Sequence, residues 1–237
     1  MSIAEKLTTI AENEQKVYEA GKKADRSEFY DAYISGGMRN AFSGTSWNKK
    51  TFYPTRDFLA GTYCFQYHNW WAGDLYDLAA RMEECGVKFT AVDPTQTFMY
   101  AHITRVPKLD SSSFITTLAD RTFHDARFLV TIDEWILGER TAGFANSFYN
   151  CTALKNITVS GVIPSTINFS PCPLTVESLK SIISCLKDYS TQTPFTQTLT
   201  LKDSCKTALQ ADTETVEFNG QSYTYFNLIS AKGWNLA

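Results

Sequence analysis

Histidine is scarce, with three in 237 residues. The six cysteines (Cys64, Cys85, Cys151, Cys172, Cys185 and Cys205) stand far apart, and none forms a CxxC pair. A zinc centre needs several closely grouped nitrogen or sulfur ligands, so this supply argues against one. No stretch of 18 apolar residues occurs, which removes the usual signature of a membrane-spanning helix. The opening MSIAEKLTTIAENEQKVYEAGKK lacks the apolar region of a secretory signal peptide. Neither charge sign dominates: 22 Lys and Arg against 25 Asp and Glu leave a formal net charge of -3. Binding driven by phosphate neutralisation is therefore not expected, and nucleic acid is not an expected partner.

Catalytic signatures are missing too. There is no GxSxG, HExxH, Walker loop or GxGxxG. Asp133 and Glu134 are adjacent in TIDEWILGE, so on a strand they would face opposite sides. That leaves no assignable carboxylate pair for glycoside hydrolysis. His124, in TFHDAR, reads as a solvated surface residue. No cofactor and no enzymatic activity are expected.

Aromatic residues are abundant, at 14%, with 16 Phe, 12 Tyr and 5 Trp. Such a supply serves a large core or an adhesive surface. The spacing of the phenylalanines favours a repeated core. SFYNCTALKNITVSG (147–161) aligns with TFHDARFLVTIDEWI (122–136), matching Phe148 to Phe123, Leu154 to Leu129 and Ile157 to Ile132, each pair 25 residues apart. Phe98 lies another 25 residues upstream. With one residue deleted, Val106 then aligns with Ile132 and Leu109 with Trp135. Downstream, NFSPCPL repeats the Phe-x-x-Cys step at Phe169 and Cys172. About four units thus fill residues 88–174, and a period in the twenties points to a leucine-rich-repeat solenoid. Core side chains of neighbouring units stack in such an array. Cys151 occupies the slot that Ala126 fills one unit earlier, so the slot calls for small volume rather than a nucleophile. The cysteines as a group read as small buried hydrophobes in a reduced protein.

The pattern F-x-x-C-x-x-L-x-x-I, complete with Cys-Thr-Ala-Leu at 151–154, resembles the BspA-like leucine-rich repeats. The resemblance covers residues 88–174 and, more weakly, the C-terminal part. It implies a binding scaffold of the kind found at bacterial or viral surfaces, with no shared chemistry. Phe98, Val106, Phe123, Leu129, Ile132, Phe148, Cys151, Leu154, Ile157, Phe169 and Cys172 would form the repeat core.

The flanks complete an α+β reading: an N-terminal helix, a short degenerate leucine-rich-repeat solenoid, and helical and hairpin caps. Residues 1–35 begin with a Ser2/Glu5 capping box, and Ile3, Ile10 and Val17 recur every seven residues with Leu7 between the first two. This imperfect stripe predicts a helix for attachment or oligomerisation, with a trimer favoured. Residues 36–87 form an aromatic linker and N-terminal cap. Trp47, Trp70 and Trp71 there are candidate ligand-stacking residues, although adjacent Trp70 and Trp71 would point to opposite faces of a strand. DLYDLAARMEECG (74–86) reads as a helix with Leu75, Leu78, Ala79 and Met82 on one side and Gly86 as its C-cap.

Residues 175–237 form the C-terminal cap. They predict a helix over 175–189, capped by Thr175 and burying Val176, Leu179, Ile182, Ile183 and Leu186. A strand over 196–203 follows, then a hairpin over 215–225 turning at Asn219-Gly220, and a short helix with a last strand.

Ala-Phe-x-Gly-x-x-Trp (41–47) and Thr-Phe-x-Pro (51–54), with the order helix, aromatic linker and repeats, resemble proteins encoded in phages and prophages of Gram-positive bacteria. That resemblance implies a non-enzymatic virion structural protein of tail, baseplate or head fibre, assembled in the bacterial cytoplasm. Its partners would be itself, other virion proteins, and a host-surface protein or glycan, without membrane insertion. A bacterial leucine-rich-repeat adhesin is the alternative, and a carbohydrate-active enzyme the weaker one.

Overall fold

The structure is a computed structural model and describes residues 57–66, 75–113, 119–139, 141 and 143–237. The expected helix over 1–35, with Ile3, Leu7, Ile10 and Val17, lies outside the described residues, as do Trp47, Trp70 and Trp71. Within them the fold is mixed α and β, with four α-helices and four sheets, of the α+β kind.

Short parallel strands dominate the first half. β1 (Phe58–Ala60) pairs with β3 (Phe89–Val92). β2 (Tyr76–Asp77), β4 (Ile103–Val106), β6 (Thr131–Leu137) and β5 (Leu109–Asp110) line up in that order, and β7 (Asn156–Gly161) also joins β6. Val106 lies opposite Ile132, Ile132 opposite Ile157, and Leu109 opposite Trp135. Residues aligned by their spacing in sequence are therefore neighbours across the sheet. All five side chains are buried, as expected when equivalent positions of successive units face one interior.

Successive turns contribute Phe65, Phe98, Phe123 and Phe148 to the core, and Phe169 follows at the end of a strand. Phe65, Phe98, Phe123, Phe148 and Phe169 form one continuous column, with successive ring centroids 5.3, 5.4, 5.5 and 4.4 Å apart. Trp135 meets Phe123 and Phe148 edge-on at 5.5 and 5.9 Å. Stacked and edge-on pairs add to the burial of each ring. Beside the column runs a row of small buried residues, Ala101, Ala126, Cys151 and Cys172.

The turns are held by an unusual backbone. Two residues before and after the phenylalanine, φ is positive without glycine: Gln96 and Tyr100 (53° and 59°), then Arg121 and Asp125 (55° and 59°), with Asn150 (60°) after Phe148. Such angles are unfavourable for side chains with a Cβ. Hydrogen bonds between successive turns offset the cost. The N–H groups of Phe98 and Phe123 donate to Thr122 O and Ser147 O, both at 2.9 Å. Those of Tyr100 and Asp125 donate to His124 O and Tyr149 O, both at 2.8 Å. The residue before each of Phe98, Phe123 and Phe148 carries a buried hydroxyl. Thr97, Thr122 and Ser147 donate to the carbonyls of Asp93, Pro94 and Ala119, which satisfies polar groups inside the stack.

Helix α1 (Leu78–Cys85) starts later than the 74–86 expectation. Asp77 caps it by accepting from Ala80 N, and Gly86 closes it at φ 65°. Tyr76 and Asp77 are drawn into β2, so Leu75 is 53% exposed instead of lying on the apolar side with Leu78, Ala79 and Met82. Helix α2 (Val176–Ser184) is capped by Thr175 and buries Leu179, Ile182 and Ile183. It ends before residue 189 because the chain turns into a parallel bridge between Leu186 and Ile163. Lys232 Nζ donates to the carbonyls of Ile183, Ser184 and Leu186 at 3.2, 2.7 and 2.9 Å, placing a cation at the negative end of α2.

The remaining chain closes this end. β8 (Ile167–Phe169), β9 (Gln197–Leu201) and β12 (Trp234–Leu236) form a parallel sheet with β9 central. Helix α3 (Asp203–Ala211) leads to the hairpin of β10 (Thr215–Phe218) and β11 (Gln221–Thr224). Asn219 and Gly220 both have positive φ, as a type I′ turn requires. Helix α4 (Tyr225–Ala231), capped by Thr224, precedes β12. One apolar core runs from Ala60 to Trp234.

Candidate functional site

The outward positions of the stacked turns form a second aromatic column. His124 and Tyr149 each follow a core phenylalanine, and their rings stack at 4.6 Å with a 23° tilt. Tyr100 meets His124 edge-on at 5.5 Å, and His102 meets Phe128 edge-on at 4.9 Å. Tyr149 is 56% and Phe128 40% exposed. His124 is not the solvated residue expected: its side chain is only 17% exposed, between rings of neighbouring turns. Burial lowers its pKa, and burial followed by the charge of Arg127 lowers that of His102. Both imidazoles are therefore mainly neutral at pH 7.

Asp125 fixes this edge. Its Oδ1 accepts from Arg127 Nε and Nη2 at 3.1 and 2.9 Å and from Asn150 Nδ2 at 2.6 Å. Its Oδ2 lies 3.0 Å from His124 Nδ1. The carboxylate thus ties two successive left-handed turns together. The result is a firm row of π faces with nearby hydrogen-bonding groups, chemistry suited to recognition by stacking.

The outer side of the sheet is charged and internally paired. Arg105 donates to both oxygens of Asp133, at 2.7 and 2.8 Å, and to Glu83 Oε1 at 2.8 Å. Lys108 pairs with Glu134 at 2.7 Å, and Ser160 donates to Glu134 at 2.7 Å. These two bonds hold the Glu134 carboxyl below its usual range. Asp133 and Glu134 do not sort to a buried and an exposed face. The pairing slips between Ile132 and Trp135, both of those are buried, and the two acids between them remain accessible. Each is taken up by a cation, which leaves no free acid–base couple in this pair. Beside them, Thr131, Ile132, Asp133, Asn156, Thr158 and Glu177 help to line an open groove of mixed polarity, about 290 Å³ in volume.

All the proposed repeat-core residues, Phe98, Val106, Phe123, Leu129, Ile132, Phe148, Cys151, Leu154, Ile157, Phe169 and Cys172, lie buried in the shared core. Cys151 Sγ donates to Phe123 O at 3.0 Å, and burial pushes the Cys64, Cys151 and Cys172 thiols up, away from nucleophilic character. None of the six cysteines is in a disulfide, and Cys85 and Cys185 are only partly covered.

Sequence spacing carried an unread signal for the turn residues. Thr97, Thr122 and Ser147, and Tyr100, Asp125 and Asn150, recur at the same 25-residue interval as the phenylalanines. Among the described residues no group of His, Cys, Asp or Glu could hold a metal ion, and no helix is long and apolar enough to cross a membrane. No protein-family model, curated protein or solved structure matches the chain.

Proposed function

We propose that the chain is a short, degenerate leucine-rich-repeat solenoid of the BspA-like kind, acting as a non-enzymatic phage virion structural protein in a tail, baseplate or head fibre. One observation carries the scaffold reading: the core phenylalanines at 25-residue spacing stack as a single column while outward residues of the same turns form another. Such an array separates residues that must be kept for packing from residues free to suit a partner. The partner would be a host-surface protein or glycan, or a neighbouring virion subunit, engaged through the aromatic turn edge.

Weak single contacts of this type gain strength when several copies act together. A homo-oligomer, with a trimer favoured, would provide that through Ile3, Leu7, Ile10 and Val17 in residues 1–35. Trp47, Trp70 and Trp71 would add stacking surface.

A bacterial adhesin with the same repeats is the second reading, since the same turn edge would serve it. A carbohydrate-active enzyme is weaker, because Asp133 and Glu134 are engaged by Arg105 and Lys108. The native mass of the full chain and of a chain starting at residue 25 tests the assembly. A trimer or larger that falls to monomer on truncation is expected. Monomers in both cases would sink the oligomeric virion-part reading and leave the single-copy adhesin.

A further inference from the structure

Strand β7 ends its sheet, yet its outer edge is not left to solvent. Helix α2 lies along it, and serines one turn apart take the role of a partner strand. Ser178 Oγ accepts from Ile157 N at 2.9 Å and donates to Lys155 O at 3.3 Å. Ser181 Oγ accepts from Val159 N at 2.7 Å and donates to Val159 O at 3.0 Å. Cys185 Sγ donates to the same carbonyl at 3.2 Å.

On either side of the helix, the pairing is made by backbone. Thr175 N donates to Lys155 O at 2.9 Å, Ile163 N to Cys185 O at 2.7 Å, and Lys187 N to Ile163 O at 3.0 Å. Only across α2 itself are hydroxyls needed, because a helix spends its own N–H and C=O groups internally. Polar residues in a helix face that packs on a sheet edge are otherwise a cost. Ser178 is buried in that helix together with apolar Leu179, Ile182 and Ile183 and with Lys180.

We propose that Ser178 and Ser181 form a sheet terminator that keeps the β7 edge from accepting a strand of a second copy of this chain. Residues Ile157 and Val159 point their N–H groups to the same side, so an uncovered edge would be a template for strand addition. Among the described residues every pairing in this sheet is parallel. A strand of a second copy added to β7 in that parallel sense would offer its opposite edge, so the copies would join head to tail. That contact is heterologous and does not close, so it grows into chains.

The test uses the full-length protein in four forms: wild type, S181A, S181T and S178A/S181A. Alanine favours helix, and Ser181 is only half-buried, so S181A retains the fold needed for the measurement. Hydrogen exchange is read at the Val159 amide and native mass over a concentration series. In S181A the Val159 amide is expected to exchange at least tenfold faster, with S181T, which keeps the hydroxyl, close to wild type. S178A/S181A is expected to grow with concentration beyond the wild-type mass. Unchanged Val159 exchange in S181A would overturn the terminator role. Faster exchange in both variants with no growth of the double variant would overturn the claim that the edge is guarded against a second copy.

Discussion

Phe98 and Phe123 stack face to face at 5.4 Å with their planes only 6° apart, although 25 positions separate them in the chain. Phe148 continues the stack on the other side of Phe123 at 5.5 Å. The central ring is therefore covered on both faces and, through Trp135, on its edge.

Phe123→Ala is expected to remove a fully buried ring and leave a cavity between two others. The cost should be about 3–5 kcal/mol, read as a lower urea midpoint at unchanged slope. Tyr149→Ala, on the exposed outer column, should cost about 1 kcal/mol or less. Equal losses for the two would show that the inner column does not carry the repeats.

Gly161 and Gly86 separate two costs of adding a methyl group. Both have positive φ, 83° and 65°. A Cβ at Gly86 would meet nothing within 4 Å, whereas one at Gly161 would collide with the Leu137 carbonyl oxygen. Gly86→Ala should therefore lose about 1 kcal/mol from backbone strain alone. Gly161→Ala should lose several times more, because β7 must shift away from β6. Thermal unfolding of the two variants gives the comparison; a Gly161→Ala midpoint as high as that of Gly86→Ala would show that the close approach is not needed.

The interior of the repeats was legible because its signal is additive. Phe98, Phe123 and Phe148 share one interval, and the register places Ile132 directly beside Ile157, as their spacing suggests. The hairpin at Asn219-Gly220 was legible for a local reason, since few residue pairs accept two positive φ angles. The start of α1 was not. Leu75 fits the helical stripe of Leu78 and Met82, but the pairing of Tyr76 and Asp77 with β4 is a tertiary event that periodicity does not encode. Nor was the burial of His124 legible. Its cover comes from Tyr100 and Tyr149, which lie in neighbouring turns, and only the stacking of turns makes them its neighbours. The serines of α2 look like the polar face of an amphipathic helix until β7 is placed against them.

Cys151 offers a direct check that its slot is chosen for volume. Ala126 and Ala101 fill the equivalent places in the preceding turns. Cys151→Ala should cost only about 1 kcal/mol, and a thiol-specific reagent should leave Cys151 and Cys172 unmodified in the native protein while modifying partly covered Cys85. Modification of Cys151 faster than Cys85 under native conditions would revive a nucleophilic role.

Glu134 predicts the acid limb of stability. The hydrogen bond from Lys108, then that from Ser160, lowers its pKa from the ordinary 4.5. The unfolded chain then binds the proton more readily than the folded one, so protonation favours unfolding. The contribution is fully present above about pH 4.5 and is lost as pH falls through the lower folded value. Glu134→Gln cannot titrate, so its deficit against wild type should be largest near neutrality, about 0.5–1 kcal/mol for a pair this accessible, and should shrink towards pH 3. Lys108→Met should narrow the same pH dependence by removing the larger cause. Urea unfolding of the three proteins at pH 7 and pH 3 measures this. A Glu134→Gln deficit of the same size at both values would mean that Glu134 titrates alike in the folded and unfolded chains, and that the Lys108 pair seen on the sheet surface adds nothing to the fold.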